Sequence, residues 1–177
     1  GVGMVHGRAP EVAGAGLAGP FLWRVSSARV EGAGPFSRFP GRTRLLTLLE
    51  GAGLILDIEG QGRARLKRPG QVLAFPGDAA VQATPIQGPV LDFGVISDPG
   101  RVRATLEWLS LGPDARSVAL ASTTLLHAPF AAVQVDPLGL TLAPGDCLQI
   151  ALEPGRTRLG LRAAPGTALL RVGFEPV

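Results

Sequence analysis

The chain has 177 residues, 46% of them hydrophobic, and its 17 Lys and Arg against 14 Asp and Glu give a net charge of +3. That length holds one large domain or two closely fused halves, no apolar run reaches the ~18 residues of a transmembrane helix, and the single cysteine, Cys147, excludes an internal disulfide. A sequence pI near 10.4 invites a nucleic-acid reading, yet the basic residues are arginines except for Lys67 and there is no tyrosine, so it reflects residue choice more than charge excess.

In chain order, short runs alternate apolar and polar residues and are bounded by Gly or Pro, the pattern of strands. They fall at 21–30, 44–50, 53–59, 63–68, 72–75, 81–86, 89–97, 101–110, 117–126, 130–136, 139–143, 147–153, 156–163 and 168–175. Arg63, Arg65 and Lys67 alternate on one run without the stacking aromatics of a nucleic-acid groove. They read as a solvated face. Residues 101–110, RVRATLEWLS, contain good helix formers. Even so, Val102, Ala104, Leu106 and Trp108 alternate with Arg103, Thr105 and Glu107, which predicts a strand. Trp23 and Trp108 read as sheet-packing residues. With no run of helical length and spacing, the chain is predicted to be all-β.

A faint internal repeat runs through this pattern. PGQVLAFPGD at 69–78 is matched by PGDCLQIALEPG at 144–155, and Gly77 to Gly155 has the same spacing as Gly88 to Gly166. Two tandem copies of one β unit are the simplest account. The halves are drawn at 1–110 and 111–177, packed as one body.

The strand–PG–strand–PG pattern resembles cupins, which implies a double-stranded β-helix of the RmlC type in each half. Metal cupins carry an HxH-x-E cluster and a further histidine. Here His6 and His127 are the only histidines, and neither has ligand spacing to a partner. No metal and no cofactor are expected. Cys147, in CLQIAL, reads as a buried small hydrophobe, and His127 as a strand-end residue. There is no GxSxG elbow and no phosphate loop. No catalytic residue is assigned.

Residues 21–51, FLWRVSSARVEGAGPFSRFPGRTRLLTLLEG, carry the densest signal. They resemble the signature of the HutD/Ves family, FxWRxSxAxV followed by GPFSxFPGxxRxLxLLxG. FPGD at 75–78 and LDFGVISDPGRVRA at 91–104 extend the match. Gly94 stands where the family has Asn, and the N-terminal segment departs from the family pattern. The resemblance implies a cupin associated with histidine utilisation that binds a carboxylate intermediate such as formylglutamate or urocanate, with a regulatory and not an enzymatic role. It also implies a cytoplasmic protein that binds neither nucleic acid nor membrane.

The residues themselves say where such a ligand would sit. On a strand, Leu22, Arg24, Ser26, Ala28 and Val30 share a face. An arginine on an inward face needs an anion or several acceptors, because it keeps its proton. Arg24 therefore grips a ligand carboxylate bidentately, or forms a buried pair with Asp92 or Asp78. Arg44 opens the next strand toward the same mouth. Ser26 and Ser37 offer hydrogen bonds. Phe36 and Phe39, in the loop GPFSRFPG, either close the pocket as a lid or plug the barrel end. Asp92 orients an arginine. The expected partner is a small anionic metabolite, with two alternatives open: a metal-free isomerase or hydrolase, or a structural protein that forms a homodimer through sheet edges.

Overall fold

The structure is a computed structural model and describes residues 2–5, 12–13, 21–67, 70–152, 154–155 and 157–177. Among these residues there are eighteen strands and no helix. The chain divides into two compact units, 11–102 and 1–10 with 103–177. The sequence boundary at 110/111 falls near the end of one strand, Val102–Leu111, and the structural boundary near its start.

The first unit holds β2 (Val12–Ala13), β3 (Trp23–Val30), β4 (Gly34–Pro35), β5 (Thr43–Glu50), β6 (Leu54–Ile58), β7 (Gly62–Leu66), β8 (Leu73–Pro76), β9 (Val81–Pro85) and β10 (Val90–Ser97). They form a five-stranded sheet in the order β2-β3-β10-β5-β8 and a four-stranded sheet in the order β4-β9-β6-β7. The two sheets enclose one core. Leu46, Leu48, Phe75 and Val90 come from the first sheet, and Leu54, Leu56, Ile58, Leu66, Val81 and Ala83 from the second. Each fully buried Leu or Ile contributes roughly 1.5–3 kcal/mol.

The second unit repeats the plan. Its strands are β1 (Val2–Val5), β11 (Val102–Leu111), β12 (Arg116–Ala119), β13 (Thr123–His127), β14 (Val133–Asp136), β15 (Leu140–Leu142), β16 (Cys147–Ala151), β17 (Arg158–Ala163) and β18 (Thr167–Pro176). The orders are β1-β16-β13-β18-β11 and β12-β17-β14-β15. With β11 set against β3, β18 against β10, β13 against β5 and β16 against β8, four strands of each larger sheet correspond; the fifth lies at opposite edges, β2 beside β3 and β1 beside β16. The smaller sheets correspond likewise. The repeat read from the Pro-Gly spacing is thus a repeat of topology.

The helix-prone run 101–110 forms β11, as its alternation requires. The run 117–126 is a correction, because it breaks into β12 and β13. Thr124 Oγ1 accepts the Ala121 amide at 2.9 Å and turns the chain between them. The sequence pattern does not announce β1, β2 or β4. Strands of two to four residues carry too little alternation to read.

Candidate functional site

One face of the five-stranded sheet of the first unit is built in rows. β10 pairs Ile96 with Arg24 on β3 and Arg44 on β5, then Gly94 with Ser26 and Leu46, then Asp92 with Ala28 and Leu48. β8 extends the first row with Phe75 beside Arg44. On the β5 and β8 side, leucines and Phe75 fill the barrel. On the β3 and β10 side, Ser26, Ala28 and Gly94 are small, and the space above them is a cavity of about 410 Å³. A Cβ built on Gly94 would meet nothing nearer than Leu46 Cδ1 at 3.7 Å.

Arg24, Ser26, Phe36, Ser37, Phe39, Arg44 and Asp92, the residues nominated from sequence, all line this cavity. Arg24 and Ser26 are half-buried, at the positions their alternation gave. Both aspartates nominated as partners of Arg24 accept backbone amides. Asp78 accepts the Gly41 amide at 3.0 and 3.1 Å, and Asp92 Oδ1 accepts the Ala28 amide at 3.1 Å.

Arg44 is the most constrained of the seven. Its guanidinium carbon lies 5.0 Å from the ring centroids of Phe36 and Phe75 and 5.5 Å from that of Phe39. Such cation–π contacts strengthen as water is excluded. Nη1 donates to the Ser37 carbonyl at 3.0 Å. Burial pulls the Arg44 pKa below its ordinary value, and the charge of Asp92 opposes that shift. Asp92 is only 6% exposed. Burial pushes its pKa up to about 6, with the Ala28 amide and the charge of Arg44 acting in the opposite direction. Asp92 therefore acts on Arg44 through its field, while Ser37 and the rings hold the guanidinium.

The loop carrying Phe36, Ser37 and Phe39 is an anchored rim. Phe36 donates its amide to Val81 at 2.9 Å, Phe39 donates to Gly77 at 2.8 Å, and Gly77 donates to Arg42 at 2.7 Å. Asp78 closes the set at Gly41, whose φ of +69° suits glycine. The FPGD stretch is thus the clamp that fixes the rim. Phe36 packs against the core, and Phe39 meets Phe21 edge-on at 6.4 Å. Ser37 is exposed, with its carbonyl turned to Arg44.

Sequence reasoning missed Phe75, which supports Arg44, and Arg29, Glu31 and Ile96, which also line the cavity. Alternation along 89–97 would have placed Ile96 on the face of Asp92. It also missed Arg42, which pairs with Asp98 at 2.6 Å and lies over Phe21 at 5.5 Å.

Other titratable groups serve the second unit. His127 is buried, lies 3.0 Å from the Asp146 carbonyl through Nδ1, and has its pKa lowered by burial. Cys147 is buried and its thiol is pushed up to about 12, first by burial and then by the charge of Asp146. His6 lies outside the described residues. Among the described residues no three His, Cys, Asp or Glu gather as a metal site. No helix among them is long and apolar enough to cross a membrane.

Two double-sheet barrels of matching topology, one with an arginine-walled cavity, define a cupin-like protein. The fold extends to salicylate 1,2-dioxygenase from Pseudoaminobacter salicylatoxidans, with a TM-score of 0.58 at 11% identity over 85% of this chain and 71% of that one. Within that class the chain belongs to the HutD family, whose model matches residues 8–169. A conserved protein of unknown function from Pseudomonas aeruginosa PAO1 is 30% identical with a TM-score of 0.85, covering 100% of both chains. HutD from Pseudomonas fluorescens SBW25 is 32% identical with a TM-score of 0.79, covering 95% of this chain and 86% of that one. A 21.2 kDa protein encoded in the region 3′ of hutC in Pseudomonas putida is 38% identical over 151 residues, 84% of this chain and 76% of the relative.

Proposed function

We propose that the first unit binds a small carboxylate metabolite and that the protein acts as a metal-free ligand sensor connected with histidine utilisation. One observation carries this reading: Arg44 presents a fixed positive charge to a 410 Å³ cavity from among three phenylalanines. A guanidinium whose rotamer is already set gives up little entropy on binding an anion. Arg24 shares the carboxylate with Arg44, and Ser26 and Ser37 add hydrogen bonds. Phe36 and Phe39 form the apolar rim that excludes water, and Asp92 orients Arg44 through its charge. The location of the Pseudomonas putida relative beside hutC supports the connection to histidine utilisation.

Thermal shift against formylglutamate, urocanate, formate and glutamate tests this. Formate belongs in the set because the Pseudomonas fluorescens HutD structure is described in a formate condition. At least one carboxylate raises the melting temperature of the wild type, and Arg24→Ala or Arg44→Ala abolishes the rise. No shift with any of the four, together with an Arg24→Ala variant that only loses stability, refutes the reading.

A second reading, a metal-free isomerase or hydrolase, rests on Asp92. A buried carboxyl pushed up to about 6 has the character of a general base. Among the described lining residues no His, Cys, Lys or Tyr stands as the complementary acid. Turnover of a bound carboxylate that Asp92→Asn abolishes without loss of binding would favour it.

A further inference from the structure

We infer that Asp92 makes this cavity selective for carboxylates that also carry an N–H donor, the carboxylate lying toward Arg24 and Arg44 and the N–H meeting Asp92. This rests on the carboxylate-binding reading above and adds the second half of the ligand.

The placement follows from the rows of the sheet. Arg24 and Arg44 flank Ile96, and Asp92 lies four residues along the same strand, about 13 Å of extended chain. Gly94 sits between and lines the cavity, and a Cβ there would make only ordinary contacts, the nearest with Leu46 Cδ1 at 3.7 Å. A ligand lying along β10 over Gly94 has the guanidinium end at one side and a carboxyl at the other.

Charge makes the argument chemical. Like charges repel even across such a span, and more strongly where water is excluded. An anion site with a carboxylate in its lining favours a ligand that brings that group a donor. Asp92 can accept it. A carboxylate has about four lone-pair sites, and the Ala28 amide takes one of them. Asp92 also lines the cavity directly.

In the second unit a charged residue of β18, Arg171, pairs with Glu107 on the neighbouring strand β11. In the first unit the residue opposite Asp92 on β3 is Ala28, which has no charge to offer.

Calorimetric titration with glutarate, glutamate and N-acetylglutamate tests this, because the three share one diacid skeleton and differ in nitrogen. Wild-type protein binds a nitrogen-bearing ligand at least about tenfold tighter than glutarate, the worth of one charge-assisted hydrogen bond. Glutamate in the lead identifies an ammonium, and N-acetylglutamate an amide. Asp92→Asn collapses the ratio toward one while glutarate binding persists or tightens. Should that variant fold poorly, the wild-type ratio decides alone. Equal binding of all three by the wild type overturns the role of Asp92 and leaves the carboxylate site standing; binding of none overturns both. Gly94→Ala, which puts a methyl where there is room for it, weakens the nitrogen-bearing ligand at least about fivefold, and unchanged affinity refutes the path along β10.

Discussion

Arg44 and Asp92 act on each other through charge across the floor of one cavity. Burial pushes Asp92 up to about 6 against the pull of Arg44, and it draws Arg44 down against the pull of Asp92. Neither charge is in the place the fold alone would choose.

That conflict has a measurable sign. The folded-state pKa of Asp92 is raised from 3.8 to about 6. Between those values the folded state holds more protons than the unfolded state, so stability falls as pH rises through the window and levels off above it. The full cost at neutral pH is about 2–3 kcal/mol. Asp92→Asn keeps an oxygen for the Ala28 amide and removes the charge. Its melting temperature should exceed that of the wild type at pH 7.5, and the gain should shrink to nothing near pH 4. A variant less stable than wild type at both pH values would show that the carboxylate is a net structural asset.

Arg44 is held by structural contacts, and two substitutions separate these from the part proposed for it in recognition. Arg44→Ala removes the guanidinium between Phe36, Phe39 and Phe75 and the bond to the Ser37 carbonyl. A loss of about 1–3 kcal/mol is expected in denaturant unfolding. Arg44→Lys keeps a cation without the planar fork. It should recover much of that stability yet bind the carboxylate found by thermal shift at least about tenfold more weakly than wild type. Equal affinity of the Lys variant would mean that the site reads charge alone.

The sequence carried the site more fully than the clamp that supports it. Alternation along 21–30 put Arg24 and Ser26 on one face, and the register confirms that face. The rim residues were legible because Phe36 and Phe39 are too apolar for an idle surface loop. What alternation does not encode is pairing across strands. Phe75 reaches Arg44 only because β8 lies beside β5, and Arg42 finds Asp98 from more than fifty residues away in sequence. Asp78 reads from sequence as a charge partner, but its work is to accept the Gly41 amide, a backbone contact with no sequence period.

The clamp itself is testable at Gly77. A Cβ there would lie 2.4 Å from the Phe39 carbonyl and 3.0 Å from that of Arg42. Both are backbone atoms, so relief requires the rim to move. Gly77→Ala should cost about 1–3 kcal/mol. It should also raise hydrogen exchange at the amides of Phe39 and Gly41, which Gly77 and Asp78 hold. Carboxylate binding should weaken with it, although Gly77 does not line the cavity. Unchanged exchange at those amides would show that the rim is held by other contacts.

Cys147 provides a probe of the second unit. It is buried on β16, paired in register with His127 of β13, and its thiol is pushed up to about 12. At pH 7.5 about one molecule in 10⁴–10⁵ then carries a thiolate, the reactive form. A disulfide reagent such as Ellman's should label the folded protein only as fast as the second unit opens, and label it at once in guanidinium. Cys147→Ala should cost about 1–2 kcal/mol through the lost packing and leave carboxylate binding by the first unit unchanged. Rapid stoichiometric labelling of the folded protein would mean that the thiol is reachable without opening, and would return it to consideration as a chemical group.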